Sequence, residues 1–398
     1  MLGFTAKKLL NSSIYKSLLF RHQSTKPLIR LNAFLSSSAF NSSTSLQPDP
    51  KGDAFTQSFL VNSCGVSVDS AKRISNYLLL KSAEKPSRTL NFFKTNSFTD
   101  AQISRIVTQA PNVLLADPIK TLKPKFDYFA SLGAPQETVV KIICNCPRIL
   151  KISVDNKIAP VLDCLKSVGG SNEEVIGLLA LSKLMMAPAR YLERNFAVLE
   201  KFGMSSLQIW RFVLLNTRSS VTPPSRFKEM AEKALAMGFD PRKHNFGDAI
   251  NSFTIVAEDL WEQKVNNFKK LGWSDSEFLM AFKKQPRIMT LSEKKIKRTM
   301  DYLVSTMGLN VSVIARCPNV LHYSLEKRII PRCSVLQVLI SKGLIEKNGI
   351  TISSVLVRAD EVFLLLFVKK YEEVQDELMN MYSRLKKEAI LESTSYAQ

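Results

Sequence analysis

Apolar residues in this chain recur three and four positions apart in short bursts, and prolines cut several of the bursts. Val139, Ile142 and Ile143 form one such stripe, which runs into CNCPRILKI at 144–152. The spacing predicts an amphipathic helix of about ten residues. It ends where proline lacks an amide proton and clashes with the preceding turn. The phrase returns as TQAPNVLLA around Pro111, KKQPRIMTL around Pro286 and ARCPNVLHY around Pro318. A second stripe follows, as in LKPKFDYFASL and WEQKVNNFKKL, and closes on an apolar residue and a glycine.

Those closing glycines stand at 133, 169, 203, 238, 272, 308 and 343, spaced 34 to 36 residues apart. Ser97 holds the equivalent place 36 residues before Gly133, and Gly65 lies 32 before that. A glycine at a helix end accepts the left-handed conformation that terminates it. Two residues after each marker comes Ser67, Thr99, Ser171, Ser205, Asp240, Ser274 or Asn310, all favoured N-caps. Thr99 with Gln102, Ser171 with Glu174 and Ser274 with Glu277 complete capping boxes. Asp240 is followed by Pro241, which suits a first helical position, whereas Pro135 departs from the pattern. The proline falls 14 residues after the marker, with Lys183, Thr217 and Ser252 in its place in three copies. Pro318 arrives after ten, which predicts a helix one turn shorter. Units that cannot bury their own apolar face must stack. The expected fold is therefore all-α, a superhelical α-solenoid of about eight repeats of ~35 residues. It spans 55–350, followed by a C-terminal helical cap or tail at 351–391.

Tetratricopeptide and pentatricopeptide arrays share the period, but their small residues at fixed helix contacts are missing. The phrases APNVLLADPIKTLKPKFDYFASLGA, CPRILKISVDNKIAPVLDCLKSVGG and QPRIMTLSEKKIKRTMDYLVSTMGL resemble the mitochondrial transcription termination factor (mTERF) family. The resemblance covers 55–345, and its divergent units look most like the plant branch. It implies a curved superhelix whose basic concave face tracks duplex DNA. Its members act in organellar transcription termination, initiation or pausing, and some in RNA splicing or ribosome assembly.

Charge adds a partner and an address. The chain has 398 residues and a net charge of +20. Residues 1–48 hold six of those charges (Lys7, Lys8, Lys16, Arg21, Lys26 and Arg30), with no Asp or Glu and many serines. That is a transit-peptide composition, mitochondrial in preference to chloroplast. The remaining +14 predicts attraction to a polyanion, nucleic acid being the usual one. The six cysteines lack a C-x-x-C pair or histidines at zinc-ligand spacing, so no metal is expected. Three histidines and the absence of phosphate-loop, nucleophile-elbow or dinucleotide motifs predict neither catalysis nor a cofactor. The longest apolar run, VFLLLFV at 362–368, is too short for a membrane span.

Six residues are candidates for the nucleic-acid contact. Arg148, Arg218 and Arg287 share one phase, directly after the proline or its substitute, and guanidinium forks suit phosphate oxygens. The alternative is that each caps the carbonyls of the helix it ends. Lys294, Lys295 and Arg298 lie in the densest basic stretch, 283–298, with seven Lys or Arg against one Glu. Three functions remain open. The array, expected to be a monomer, grips double-stranded organellar DNA and regulates transcription. Or it holds structured RNA for intron splicing or ribosome maturation. Or it is a scaffold whose acidic C-terminal helix, 371–391, recruits organellar transcription or splicing proteins.

Overall fold

A computed structural model describes residues 50–181, 184–346 and 351–395. The proposed leader at 1–48, and Lys183, lie outside them. The described residues are all-α with no strand, and form two compact units that divide near residue 187.

The repeat is a pair of helices, present eight times among the described residues, and each unit is a stack of such pairs. First helices run Val68–Ser75, Asp100–Gln109, Gln136–Asn145, Asn172–Leu181, Ser206–Leu215, His244–Ile255, Asp275–Lys284 and Val311–Arg316. Second helices run Glu84–Thr95, Lys123–Ser131, Ala159–Ser167, Ala189–Lys201, Pro224–Ala236, Glu258–Lys270, Glu293–Asp301 and Ile330–Ser341. Val311–Arg316 has six residues where most first helices have ten, the turn lost by the early proline. Wide, π-type turns open the second helices at Pro118–Leu122, Val154–Ile158 and Leu325–Ile329, which the apolar spacing had not disclosed.

Every marker glycine has positive φ, and Ser97 is the non-glycine that joins them, at 65°. The next amide then reaches back to close a Schellman motif. Phe98 N–H donates to Phe93 O at 3.1 Å, Met204 to Leu199 at 3.1 Å and Trp273 to Phe268 at 3.1 Å. The residue four before the marker (Phe93, Phe129, Leu165, Leu199, Ala234, Phe268 or Leu339) is fully buried in seven repeats. Stop signal and core anchor are thus one device: Phe268 stacks on Trp273 with centroids 4.7 Å apart.

The proline phrase is equally regular. The residue before it leaves the helical region, as Ala110 (φ −143°), Cys146 (−140°), Gln285 (−144°) and Cys317 (−127°) do. A 3₁₀ turn follows, Pro111–Leu115, Pro147–Lys151, Pro286–Thr290 or Pro318–His322. It drives an apolar pair into the core, such as Ile149 and Leu150 or Val320 and Leu321. Cys144 and Cys146 are buried in this packing, so the C-x-C pair belongs to the scaffold.

Asp240 does not start a helix as expected. It accepts from Arg242 N–H at 3.0 Å in a local turn, and the helix begins at His244. A cap is worth about 1 kcal/mol, which burial of Phe246, Ala249, Ile250 and Phe253 outweighs.

Polar side chains staple successive repeats. Thr89 Oγ1 donates to Ala116 O (3.3 Å), Asn195 Nδ2 to Thr222 O (2.8 Å) and Lys264 Nζ to Leu291 O (2.6 Å), each 27 residues ahead. All three donors sit eight residues before their marker. Burial holds the Lys264 ammonium below its usual pKa, with Glu293 opposing the shift.

Beyond Gly343 the chain caps the last pair. The helix Gln375–Ser395 packs against Ile330–Ser341 and buries Leu378 and Tyr382. Arg332, fully buried, pairs with Asp360, which also takes Lys386 Nζ at 2.7 Å.

Candidate nucleic-acid interface

The 3₁₀ turn explains why its second residue faces out: the two residues after it turn inward. Arg148 is exposed on Pro147–Lys151, and Arg218 is exposed on the short helix Thr217–Ser220 that replaces the 3₁₀ turn. Neither forms an ion pair with any described residue. Arg148 belongs to the first unit, and Arg218 and Arg287 to the second.

Arg287 shares the phase but not the freedom. Its Nε donates to Asp248 Oδ1 at 2.6 Å, and its Nη2 to Leu215 O at 3.1 Å and Asn216 Oδ1 at 3.0 Å. Its side chain is 16% exposed and that of Asp248 11%. Asp248 lies one repeat back, Leu215 and Asn216 two. Arg287 does cap a helix end, though of Ser206–Leu215 and not of its own repeat. Hydroxyls extend the network where two repeats lack proline. Ser219 Oγ donates to Asn251 Oδ1 at 2.8 Å, and Ser252 Oγ to Pro286 O at 3.0 Å. Gly247 allows the close approach, because a Cβ there would meet the Phe212 ring at 2.8 Å.

Lys294, Lys295 and Arg298 line a groove of about 360 Å³ between the helix Glu293–Asp301 and the corner at 324–326. Lys294 is exposed and makes no ion pair with a described residue. Lys295 donates to His322 O at 2.7 Å, again 27 residues ahead, so its ammonium is engaged in stapling. Arg298 meets Glu326 at 2.8 Å with both side chains partly in solvent. Such a pair contributes roughly 0–1 kcal/mol and yields readily to a phosphate. Of the six candidates, then, Arg148, Arg218 and Lys294 present cations with no ion pair among the described residues, Lys295 a staple, Arg298 a partly solvated pair, and Arg287 a clasp.

The described residues hold no cluster of His, Cys, Asp and Glu suited to a metal, and no helix long and apolar enough to cross a membrane. The sequence profile of the mTERF family matches residues 90–254 and 252–364. No curated protein matches the chain.

Proposed function

This chain belongs to the mTERF family, and from that premise we propose that it is an organellar nucleic-acid-binding protein. In this reading it binds double-stranded mitochondrial DNA and regulates transcription by termination or pausing. The observation that carries the proposal is the pair Arg148 and Arg218, exposed at one repeat phase with no acidic partner among the described residues. Cations left unpaired on a body of excess positive charge are suited to phosphate oxygens, which supply most of the affinity for any nucleic acid.

Phosphate contacts release counterions, so affinity falls steeply with salt. Binding of the protein to a mixed-sequence DNA duplex and to the same sequence as RNA, across a salt series, is the test. Tight, salt-steep binding that favours the duplex DNA supports transcriptional work. Preference for RNA moves splicing or ribosome maturation to first place. Binding to neither leaves the scaffold reading and overturns the proposal.

A further inference from the structure

A second set of cations lies on the first helices, eight residues after five of the eight markers, with Gly177, Phe246 and Met280 at that phase in the other three repeats. It consists of Arg73, Arg105 and Lys141 in the first unit and Arg211 and Arg316 in the second. In these five repeats the position faces outward beside a buried neighbour (Ile74, Ile106, Ile142, Phe212 or Ala315), whereas Phe246 at the same phase is buried. All five cations are exposed. None is ion-paired among the described residues, although Asp69 and Glu137 stand four residues before Arg73 and Lys141. Arg73 turns instead to Ser70 Oγ at 3.0 Å.

On the second helices, by contrast, several surface cations are laced to acids one turn away, as in Arg88 with Glu84, Lys123 with Asp127, Lys228 with Glu232 and Lys297 with Asp301. That is the arrangement of a solvated face. On the five helices that carry these cations, acids stand only in the first turn, where Asp100 meets Lys94 from the preceding second helix. The middle of each of those five is left with charge of one sign.

Packed helices lie about 8–10 Å apart, close to one Debye length at physiological salt, so potentials from adjacent repeats add. Asp100–Gln109 packs on Gln136–Asn145, which places Arg105 and Lys141 on neighbouring helices. In the second unit the gaps between Arg211 and Arg316 are filled from nearby positions. Arg211 and Lys243 line one cleft of about 130 Å³, and Lys284 Nζ donates to Arg316 O at 3.0 Å.

We propose that within each unit these first-helix cations form a phosphodiester-binding track, carrying contacts that the residues after the prolines do not. The inference rests on the nucleic-acid reading above. The track recognises the phosphate backbone shared by DNA and RNA, and leaves base reading to other side chains.

Two variants test it in the full chain, Arg73→Gln with Arg105→Gln and Lys141→Gln, and Arg211→Gln with Arg316→Gln. A control carries Lys201→Gln and Lys270→Gln, exposed cations at the ends of second helices. Each is titrated with the mixed-sequence DNA duplex and the matching RNA across the salt series, with thermal unfolding alongside. Each lost phosphate contact lowers the slope of log affinity against log salt by about 0.9 on duplex DNA. The expected loss is therefore roughly 3 for the first variant and roughly 2 for the second. The control should keep its slope, and all three should unfold like the parent. Wild-type slopes in both row variants overturn the track while leaving the nucleic-acid reading intact. An equal loss in the control also overturns it, because the effect is then bulk charge. A parent that binds neither polymer removes the reading beneath it.

Discussion

Arg287 and Asp248 form a bond of 2.6 Å between repeats, 39 residues apart in the chain. With Leu215 O and Asn216 as further acceptors, the arginine ties three consecutive repeats. A side chain that sequence phase places in a phosphate row thus stabilises the region where two repeats lack proline. Replacing it by alanine leaves the buried Asp248 carboxylate without its cation, a loss of ~3 kcal/mol or more. Denaturant unfolding of Arg287→Ala should show that drop, while Arg148→Ala stays within about 0.5 kcal/mol of the parent.

The marker conformation predicts opposite effects at two positions. Ser97 has φ 65° and Gly133 φ 84°, with no atom within 4 Å of a Cβ built at Gly133. A side chain in the left-handed region costs about 1–2 kcal/mol. Ser97→Gly should raise the unfolding midpoint and Gly133→Ala lower it, with no change of fold in the far-ultraviolet circular dichroism of either.

Asn195 is completely buried, and its Nδ2 donates to Ser220 O at 2.9 Å and Thr222 O at 2.8 Å. Asn195→Leu keeps the branched shape but strands two carbonyls, at about 1–3 kcal/mol for an unmet buried acceptor. Hydrogen exchange should quicken across Thr217–Ser220 first.

The C-terminal cap predicts a pH dependence. Burial alone would raise the Asp360 pKa, but hydrogen bonds and charge from Lys386 and Arg332 outweigh it and hold the carboxyl below its ordinary value of 3.8. The folded state therefore favours the carboxylate, and that stabilisation is present above pH 3.8 and lost as pH falls through the lowered value. Asp360→Asn should weaken docking of Gln375–Ser395 at neutral pH and flatten the acid limb of the stability curve.

What was legible in the sequence was local. Glycine phase, caps and proline position are set within a few residues, so Ser97 could be matched to the glycines and the short helix at 311–316 foreseen. Asp240 misled because the local cap signal competes with burial further along the helix. Arg287 was illegible as a clasp because its partners lie 39 to 72 residues away. The first-helix cations, by contrast, stand at a fixed phase in five repeats. Only their lack of acidic partners required the structure.

The most direct test of the central claim is the salt slope of duplex DNA binding for the parent and for Arg148→Gln with Arg218→Gln. A steep parental slope that drops by roughly 2 in the variant, at unchanged thermal stability, is the predicted result. A parent whose affinity barely responds to salt, or a variant with the parental slope, would contradict the account.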